Sequence, residues 1–359
     1  MSQKKTIAVV GCGIGRSHVL EGILPNADQF ELLAVCDLDQ SRLDAFADEF
    51  KIPRRTRDFA DLLAMDDLDI IDICTPPMVH RDQILAALTA GKHVICEKPL
   101  LGSLADLDTI TAAEQQAKGR LMPIYQYRYG NGIQQVKAII DAGLVGKPYV
   151  ATAETLWNRG ADYYAVPWRG RWATELGGVL MTHAIHIHDI VTYLMGPIER
   201  LFGRVATRVN PIEVEDCVSA SCQLASGALA SLTATLGSHE EISRIRLAFE
   251  HVTFESDHSP YQPGTLPWRI IPASEAVDTQ IKALLADWTP QPFRYEGQFR
   301  RFYEALVSGD PLPVTTADSR RSLELVTAFY HSSETHTDVT LPISRDHPKY
   351  QSWVPAGFR

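Results

Sequence analysis

The chain has 359 residues, of which 45% are hydrophobic and 22% charged, and its formal net charge is −10. This length exceeds the size at which one hydrophobic core usually stops growing, so two domains are expected, and the composition excludes a disordered or fibrous protein. The acidic balance disfavours nucleic acids and anionic membrane surfaces as partners, because both attract basic proteins.

The sequence predicts neither a targeting signal nor a membrane span. Only five apolar residues precede the glycine turn, and no run approaches the roughly 18 apolar residues of a membrane helix. The six cysteines form no C-x-x-C pair and lie mostly in apolar runs, which predicts reduced core thiols and a cytoplasmic location.

The first third of the chain alternates short β-branched runs with amphipathic stretches. Strands are predicted at 6–10, 31–37, 69–75, 92–97 and 121–127, and helices at 40–49, 58–65, 79–90 and 103–118. This alternation indicates an α/β domain with a doubly wound parallel sheet and right-handed crossovers.

From about residue 145, strand-like runs follow one another with few helices between them. The predicted strands lie within 147–157, 199–209, 216–227, 228–237, 244–250 and 251–256, with a hairpin turn at 225–227. Helical patterns return at 178–194, 296–307 and 319–332. We therefore predict a second, α+β domain with an antiparallel sheet, and divide the chain into residues 1–126 and 127–359.

The segment "VVGCGIGRSH" follows the first predicted strand and opens a helix. A dinucleotide pyrophosphate binds at such a turn, where glycines allow a tight turn and a close approach of the backbone. The G-x-G-x-x-G pattern is not met, because Arg16 stands at its third position and the glycine comes one residue early, at Gly15. A glycine turn that serves packing alone is the alternative.

Asp37 ends the second predicted strand, 24 residues after Gly13. An acid near this spacing binds the ribose hydroxyls and repels the extra phosphate of NADP, so NAD is favoured. Asp37 could instead cap the next helix, a role for which Asp39 competes. The predicted cofactor-binding residues are Gly11, Gly13, Ile14, Gly15, Arg16, Asp37, Thr75, Pro76, His80, Glu97 and Lys98.

Lys98 lies in "CEKPLL", directly after the fourth predicted strand. The carboxyl end of a parallel strand borders the crevice in which such sheets bind ligands, and a cis bond to the following proline is compatible with this turn. A solvated turn lysine is the alternative.

The stretch "GGVLMTHAIHIHDIV" is a predicted helix with three histidines. Helical spacing places Thr182 and His186 on one face with Asp189, His183 on a flank and His188 well round from His186. Because the histidines do not converge and no i, i+4 His pair exists, no metal site is predicted. Proton transfer and simple core packing both remain open at this point.

Aromatic and basic residues cluster in "YQYRYGN" and "WNRGADYYAVPWRGRW". They suit stacking on a sugar ring and hydrogen bonding to its hydroxyls, with Arg128, Arg159 and Arg169 available for an anionic substrate; sealing the join between the domains is the alternative. The predicted substrate-binding residues are Lys98, Tyr127, Arg128, Trp157, Arg159, Tyr164, Trp168, Arg169, Thr182, His183 and His186.

Taken together, "GCGIGRSH", "AVCDLD", "CEKPL", "YQYRYG" and "GGVLMTHAIHIHD" resemble the glucose-fructose oxidoreductase/inositol dehydrogenase/MocA family, in the same order and over nearly the whole chain. The resemblance implies a Rossmann domain, a second domain with a large open antiparallel sheet, and a homodimer or homotetramer. It also implies that Lys98 hydrogen-bonds the reacting hydroxyl and that His186 is the general base. Many members have an aspartate where this sequence has Thr182, which departs from the family pattern.

The function expected from the resemblance is NAD-dependent oxidation of a secondary alcohol in a sugar, sugar acid, glycoside or inositol-like polyol. Two alternatives are an NAD-dependent glycosidase that works by transient oxidation, elimination, hydration and re-reduction, and a non-catalytic regulator that senses a cofactor or sugar.

Overall fold

In the computed structural model of the protein, residues 4–358 are described. The chain forms two compact units, and each unit is made of two segments. Met1–Tyr125 with Tyr295–Arg320 forms the first unit, and Gln126–Arg294 with Arg321–Arg359 forms the second. The first break lies close to the predicted division after residue 126, but the return of Tyr295–Arg320 to the first unit has no signal in the sequence.

The first unit contains a six-stranded parallel sheet. Its strand order is β3-β2-β1-β4-β5-β6, and the order reverses direction between β1 and β4, as in dinucleotide-binding folds. The elements in chain order are β1 (Lys5–Val10), α1 (Gly15–His18), β2 (Phe30–Cys36), α2 (Gln40–Phe50), β3 (Arg54–Thr56), α3 (Phe59–Leu63), β4 (Ile70–Ile73), α4 (His80–Thr89), β5 (His93–Cys96), α5 (Leu104–Gln116) and β6 (Leu121–Pro123). The predicted doubly wound sheet is confirmed.

The predicted strands of this unit are found within a few residues of their expected bounds, because each is a short apolar run buried on both faces. β3 was not predicted, since it has only three residues and two of them are exposed arginines. β4 carries one charged residue, Asp72, in an otherwise apolar and fully buried strand.

The rest of the chain contains an eight-stranded sheet and further helices. The elements in chain order are α6 (Asn131–Asp141), β7 (Pro148–Asn158), α7 (Ala161–Tyr164), α8 (Trp172–Glu175), α9 (Ile185–Met195), β8 (Ile198–Ala206), β9 (Cys217–Leu224), β10 (Leu229–Thr235), β11 (Gly237–Phe249), β12 (Val252–Glu255), β13 (Arg269–Pro272), α10 (Glu275–Leu284), α11 (Arg294–Ser308), α12 (Thr316–Thr335) and β14 (Val339–Thr340). A π-helical turn, Leu180–Ala184, precedes α9.

The eight-stranded sheet has the order β13-β12-β11-β7-β10-β9-β8-β14. All its pairs are antiparallel except that of β7 and β10, which is parallel, so the sheet is mixed rather than wholly antiparallel as predicted. Burial alternates along β9 and β10, which leaves one side of these strands open. The hairpin turn between them is confirmed, with Gly227 at a φ of +85°.

Two further expectations concern the whole chain. All six cysteines are free and, apart from Cys217, buried, as predicted. Within residues 4–358, no helix has both the length and the apolar character needed to cross a membrane.

Candidate active site

The turn between β1 and α1 requires glycine at two positions. Gly11 has a φ of +97°, and a Cβ there would lie 2.7 Å from the carbonyl oxygen of Cys74. A Cβ at Gly15 would lie 2.6 Å from Cγ1 of Val9, so Gly15 lets α1 pack directly on β1. Apart from Gly13 and its two chain neighbours, no residue of the described range 4–358 has an atom within 4 Å of a Cβ placed at Gly13. The early glycine therefore has the packing role of the pattern's third glycine, and Gly13 leaves room for a close ligand.

Asp37 follows β2, and its carboxylate braces the same turn. Its Oδ2 accepts the N–H of Cys12 at 2.8 Å, and its Oδ1 accepts the N–H of Asp39 at 2.9 Å. Asp39 is the cap of α2, because it accepts the N–H of Arg42 at 3.0 Å. The helix-cap alternative thus applies to Asp39, and Asp37 lies beside the glycine turn.

Ile14 and Arg16 lie on the outer side of this turn. Ile14 is exposed, and the Arg16 guanidinium pairs with Glu49 and lies over the ring of Phe50. Both side chains are accessible to a ligand at the turn.

The turn after β4 contains Thr75 and Pro76 and is held by His80. The His80 ring is 0% exposed, and its nitrogens lie 2.8 Å from the carbonyl oxygen of Thr75 and 3.0 Å from that of Pro99. Burial lowers its pKa. The His80 ring therefore joins the Thr75 turn to the loop after β5, and its contact with a cofactor stays a prediction.

Glu97 and Lys98 follow β5, and the Lys98–Pro99 peptide bond is cis. Lys98 is partly exposed, whereas Glu97 is buried. The Glu97 carboxylate points into the first unit, where its Oε1 lies 2.9 Å from Nε2 of His18 and accepts the hydroxyl of Tyr295 at 2.8 Å. The two neighbours therefore have different surroundings: the acid is fixed in the interior, and the lysine is partly exposed.

In the second unit, the segment that begins the His-rich helix is held by Glu215. The Glu215 carboxylate accepts the N–H groups of Gly178 and Leu180, each at 3.0 Å, and the hydroxyl of Tyr330 at 2.7 Å. A Cβ at Gly178 would lie 1.8 Å from the carbonyl oxygen of Glu215, so only glycine fits there. Glu215 fixes where the helix starts.

His186 stacks on Tyr127, with ring centroids 4.2 Å apart and planes at 13°. Tyr127 is brought there by its neighbour Arg128, whose Nε lies 2.7 Å from Oδ2 of Asp189 and whose Nη2 lies 2.5 Å from Oδ1. Arg128 and Asp189 are each 3% exposed. This buried bidentate pair attaches the segment containing Tyr127 to α9, on which His186 lies.

His183 belongs to a different group of contacts. The Thr182 hydroxyl donates to the carbonyl oxygen of Gly178 at 2.8 Å and lies 2.6 Å from Nδ1 of His183. Because the single hydroxyl proton is used on Gly178, Nδ1 of His183 must be the donor to Thr182. The His183 ring also meets the edge of Trp157, with centroids 5.2 Å apart.

His188 is a core residue. It stacks with Phe329 at a centroid distance of 5.7 Å, and burial lowers its pKa to about 4. Among the described residues its Nε2 has no hydrogen-bond partner. The three histidines thus have different neighbours, and each ring has its own environment.

The predicted aromatic and basic residues of the second unit partly converge. The Arg159 guanidinium lies 5.2 Å from the ring centre of Trp157, 5.4 Å from that of Tyr163 and 5.6 Å from that of Tyr261. Arg169 lies 3.9 Å from the ring centre of Tyr163. We call Trp157, Arg159, Tyr163, Arg169, His183 and Tyr261 the arginine–aromatic cluster.

Tyr164 and Trp168 lie at the edge of this cluster. Tyr164 meets Tyr163 edge to face at 5.0 Å, and the ring of Trp168 lies 4.4 Å from the Arg169 guanidinium. Both are partly exposed.

Each arginine that was predicted to bind an anion has a carboxylate partner. Arg128 pairs with Asp189, Arg159 with Glu241 at 2.6 Å, and Arg169 with Glu175 at 3.5 Å. The positive charge needed to attract an anionic substrate is therefore already balanced.

Sequence reasoning missed several residues that shape the site: His18, Asp72, Glu215, Glu241, Tyr261 and Tyr295. For Asp72 a signal existed, because a charge inside the apolar run "DIIDICT" needs a buried partner. His18 lies in the glycine-turn segment itself, but its acidic partners are distant in sequence. Glu215, Glu241, Tyr261 and Tyr295 contact the site from distant parts of the sequence, which no local pattern reveals.

Comparison with known proteins gives matches to two family models. Residues 5–125 match the oxidoreductase family, NAD-binding Rossmann fold, of GFO/IDH/MocA, and residues 133–255 match the GFO/IDH/MocA C-terminal domain. These matches confirm the predicted family and the NAD-binding Rossmann domain.

Individual relatives are more distant. An uncharacterized oxidoreductase, YrbE, of Bacillus subtilis is 29% identical over 59% of this chain and 60% of its own length. A D-apiose dehydrogenase of Paraburkholderia graminis is 32% identical over 56% of this chain and 52% of its own length. The matches thus span between half and two thirds of these curated relatives.

The fold is shared over a longer stretch. The crystal structure of the WlbA dehydrogenase from Bordetella pertussis, in complex with NADH and UDP-GlcNAcA, has a TM-score of 0.84 at 26% identity and covers 95% of this chain and 100% of that one.

The buried His188 makes stability sensitive to acid. Its pKa of about 4 in the folded protein lies below the ordinary 6.5, so between these pH values the unfolded chain binds more protons. This contribution to the free energy of unfolding is complete above pH 6.5 and is lost as the pH falls toward 4, by about 3 kcal/mol in all. His188→Gln is expected to remove this pH dependence, measured by denaturant unfolding across the range.

The exposed His239 offers a matched control. His239→Gln should follow the wild-type pH profile. A His188→Gln profile that runs parallel to the wild type would contradict the prediction.

Proposed function

The chain belongs to the GFO/IDH/MocA oxidoreductase family, and on this premise we propose that it transfers a hydride between a secondary alcohol of a sugar or polyol and the nicotinamide of NAD. The observation that carries the proposal is the carboxyl edge of the parallel sheet. There the glycine turn follows β1, Asp37 follows β2, Thr75 follows β4 and Lys98 follows β5. Ligands of open α/β sheets bind at this edge, next to the reversal of strand order.

The residues at this edge fit a dinucleotide. Gly13 leaves open space where the backbone approaches a pyrophosphate, and Asp37 presents a carboxylate to the ribose hydroxyls. Ile14 in the glycine turn and Leu38 next to Asp37 are exposed apolar side chains. The charge of Asp37 favours NAD over NADP, because it repels a ribose phosphate.

When bound, NAD supplies the hydride chemistry. The side chains of this chain handle the proton. Lys98 donates a hydrogen bond to the reacting hydroxyl and stabilises the negative charge that develops on its oxygen, and His186 accepts the hydroxyl proton at a ring nitrogen. Tyr127 keeps the His186 ring in one orientation by stacking on it.

The substrate that we favour is uncharged. The arginine–aromatic cluster offers stacking faces and N–H donors, but Arg159 and Arg169 are each neutralised by a carboxylate. Such a surface suits the rings and hydroxyls of a neutral sugar or polyol better than a sugar acid. Arg128 is proposed to hold Tyr127 in place instead of contacting the substrate.

Asp37→Asn is expected to change cofactor preference. The amide cannot repel a ribose phosphate, so the ratio of the NADPH and NADH dissociation constants should fall about tenfold, measured by fluorescence titration. Asp39→Asn, at the neighbouring helix cap, should leave the ratio unchanged. Equal binding of NADPH and NADH by the wild type would contradict the role given to Asp37.

Lys98→Ala and His186→Ala are expected to retain NAD binding and to lose turnover by about 100-fold or more, because each removes a group that acts on the reacting hydroxyl. Cofactor affinity is measured by titration and turnover by absorbance of NADH. Lys118→Ala is the control, since Lys118 is exposed and lies two residues after the end of α5. Wild-type turnover in either site variant would overturn the assignment.

The substrate is found by a screen of sugars, sugar acids, inositols and aryl glycosides with NAD and NADP. Formation of NADH with a neutral sugar or polyol supports the proposal. Release of free sugar without net NADH would identify the NAD-dependent glycosidase, and cofactor binding without any turnover would favour a regulator.

A further inference from the structure

A charged network lies inside the first unit, directly behind Lys98. His18 is at its centre: its Nδ1 lies 2.9 Å from Oδ2 of Asp72, and its Nε2 lies 2.9 Å from Oε1 of Glu97. His18 and Asp72 are 0% exposed and Glu97 is 3% exposed. The His18 ring also packs against Tyr295, with centroids 4.5 Å apart.

The geometry determines the charge of His18. A neutral imidazole has one N–H and would leave a lone pair facing a carboxylate, whereas an imidazolium donates to both acids. Burial alone would lower the His18 pKa, but the carboxylate of Asp72 outweighs it and the pKa is raised well above its ordinary value. Burial alone would raise the Glu97 pKa, but the hydrogen bond from His18 outweighs it and the pKa is lowered to about 2.

The remaining groups that face the His18 ring are neutral. The Cys74 sulfur lies 3.4 Å from Nδ1, and burial raises the pKa of this thiol, so it stays protonated. Tyr295 of α11 donates its hydroxyl proton to Glu97. The network therefore carries one positive and two negative charges.

This network reaches Lys98 through Glu97. While Oε1 of Glu97 is held by His18 and Tyr295, its Oε2 accepts the main-chain N–H of Lys98 at 2.9 Å. The next residues are held as well, because His80 contacts the carbonyl oxygens of Pro99 and Leu100. The backbone that carries the lysine is thus fixed on both sides.

His18 also belongs to the glycine turn. It is the last residue of α1, which begins at Gly15. One ring therefore connects the turn proposed to hold the pyrophosphate with the loop that carries the lysine.

A metal ion does not explain this cluster. His18, Asp72 and Cys74 offer ligand atoms within 4.8 Å of one another, but His18 and Asp72 lie at hydrogen-bond distance. Ligands of a tetrahedral zinc ion are farther apart, at about 3.3 Å, and both ring nitrogens of His18 already face carboxylates.

We propose that His18 is a positioning residue for Lys98, acting through the Glu97 carboxylate that it holds in place. The proposal rests on the proposed function, because it gives Lys98 a part in turnover. It adds that the geometry and the protonation of the lysine depend on a buried histidine of the glycine turn.

The first experiment compares His18→Gln with His93→Gln, a half-buried histidine on β5, the strand before Glu97. We expect kcat of His18→Gln to fall about 10–100-fold, with KM for the sugar changed far less, because a misplaced lysine affects the reacting atoms more than binding. His93→Gln should behave as wild type. A folded His18→Gln protein with wild-type kcat overturns the proposal.

The second experiment needs no substrate. In the wild type and in His18→Gln, the acetylation rate of Lys98 is measured by peptide mass spectrometry from about pH 7 to about pH 11, which gives the pH midpoint of its reactivity. His18→Gln removes a positive charge from the network that reaches Lys98, which stabilises the ammonium form of the lysine, so the midpoint should rise by about half a pH unit or more. An unchanged midpoint overturns the proposal, whereas a shifted midpoint in a protein that oxidises no sugar would contradict only the proposed function.

Tyr295→Phe is the variant to use if His18→Gln does not fold. It removes one hydrogen bond to Glu97 and no charge, and a smaller fall in kcat, about threefold to tenfold, is expected with NAD affinity unchanged. Wild-type kcat together with a wild-type Lys98 acetylation rate in this variant overturns the proposal.

Discussion

Charges buried inside a protein need partners, and this constraint positions the candidate active-site residues in both units. In the first unit His18 lies between Asp72 and Glu97, and so joins α1, β4 and the loop after β5. In the second unit Arg128 and Asp189 join the segment containing Tyr127 to α9. Leaving one of these buried charges unpaired would cost several kcal/mol of folding free energy. The segments that carry the paired groups are therefore held where the charges meet.

Such pairs contribute more to geometry than to stability. A buried ion pair loses in desolvation much of what it gains in attraction, and well-packed apolar residues often replace one without loss. Deleting one partner, by contrast, costs about 3–5 kcal/mol, because the other charge remains buried. The buried ion pairs linked to Lys98 and His186 are therefore consistent with a role in positioning these two residues rather than in stabilising the fold.

The His-rich helix shows how environment separates identical side chains. His186 stacks on Tyr127, His183 donates to Thr182, and His188 is enclosed against Phe329 with a lowered pKa. Thr182 stands where an aspartate is usual in the family. Its hydroxyl is hydrogen-bonded to the carbonyl oxygen of Gly178 and to the His183 ring. A helix built from neighbouring residues of one type thus presents one histidine to stacking, one to a hydroxyl and one to the core.

Local sequence patterns were sufficient where one short segment determines the outcome. The strands of the first unit are short apolar runs, and the glycine turn, Asp37 and Lys98 follow their carboxyl ends directly, so the parallel sheet and the position of these residues at the ends of its strands could be predicted. The helices α6 and α10 and the parallel pairing of β7 with β10 were not predicted, because tertiary contacts choose between similar local patterns.

The residues that hold the site in place required the folded chain. Asp72, Tyr295 and His18 are distant in sequence and meet only because β4, α11 and α1 pack together, and the same holds for Glu215 with Tyr330. By itself the sequence predicted the two-domain α/β architecture and the cofactor turn, since each depends on residues a few positions apart, and the family resemblance pointed to the lysine and histidine proposed for catalysis. Only the tertiary structure decided which charges are paired, because pairing depends on distances between segments that no spacing along the chain encodes.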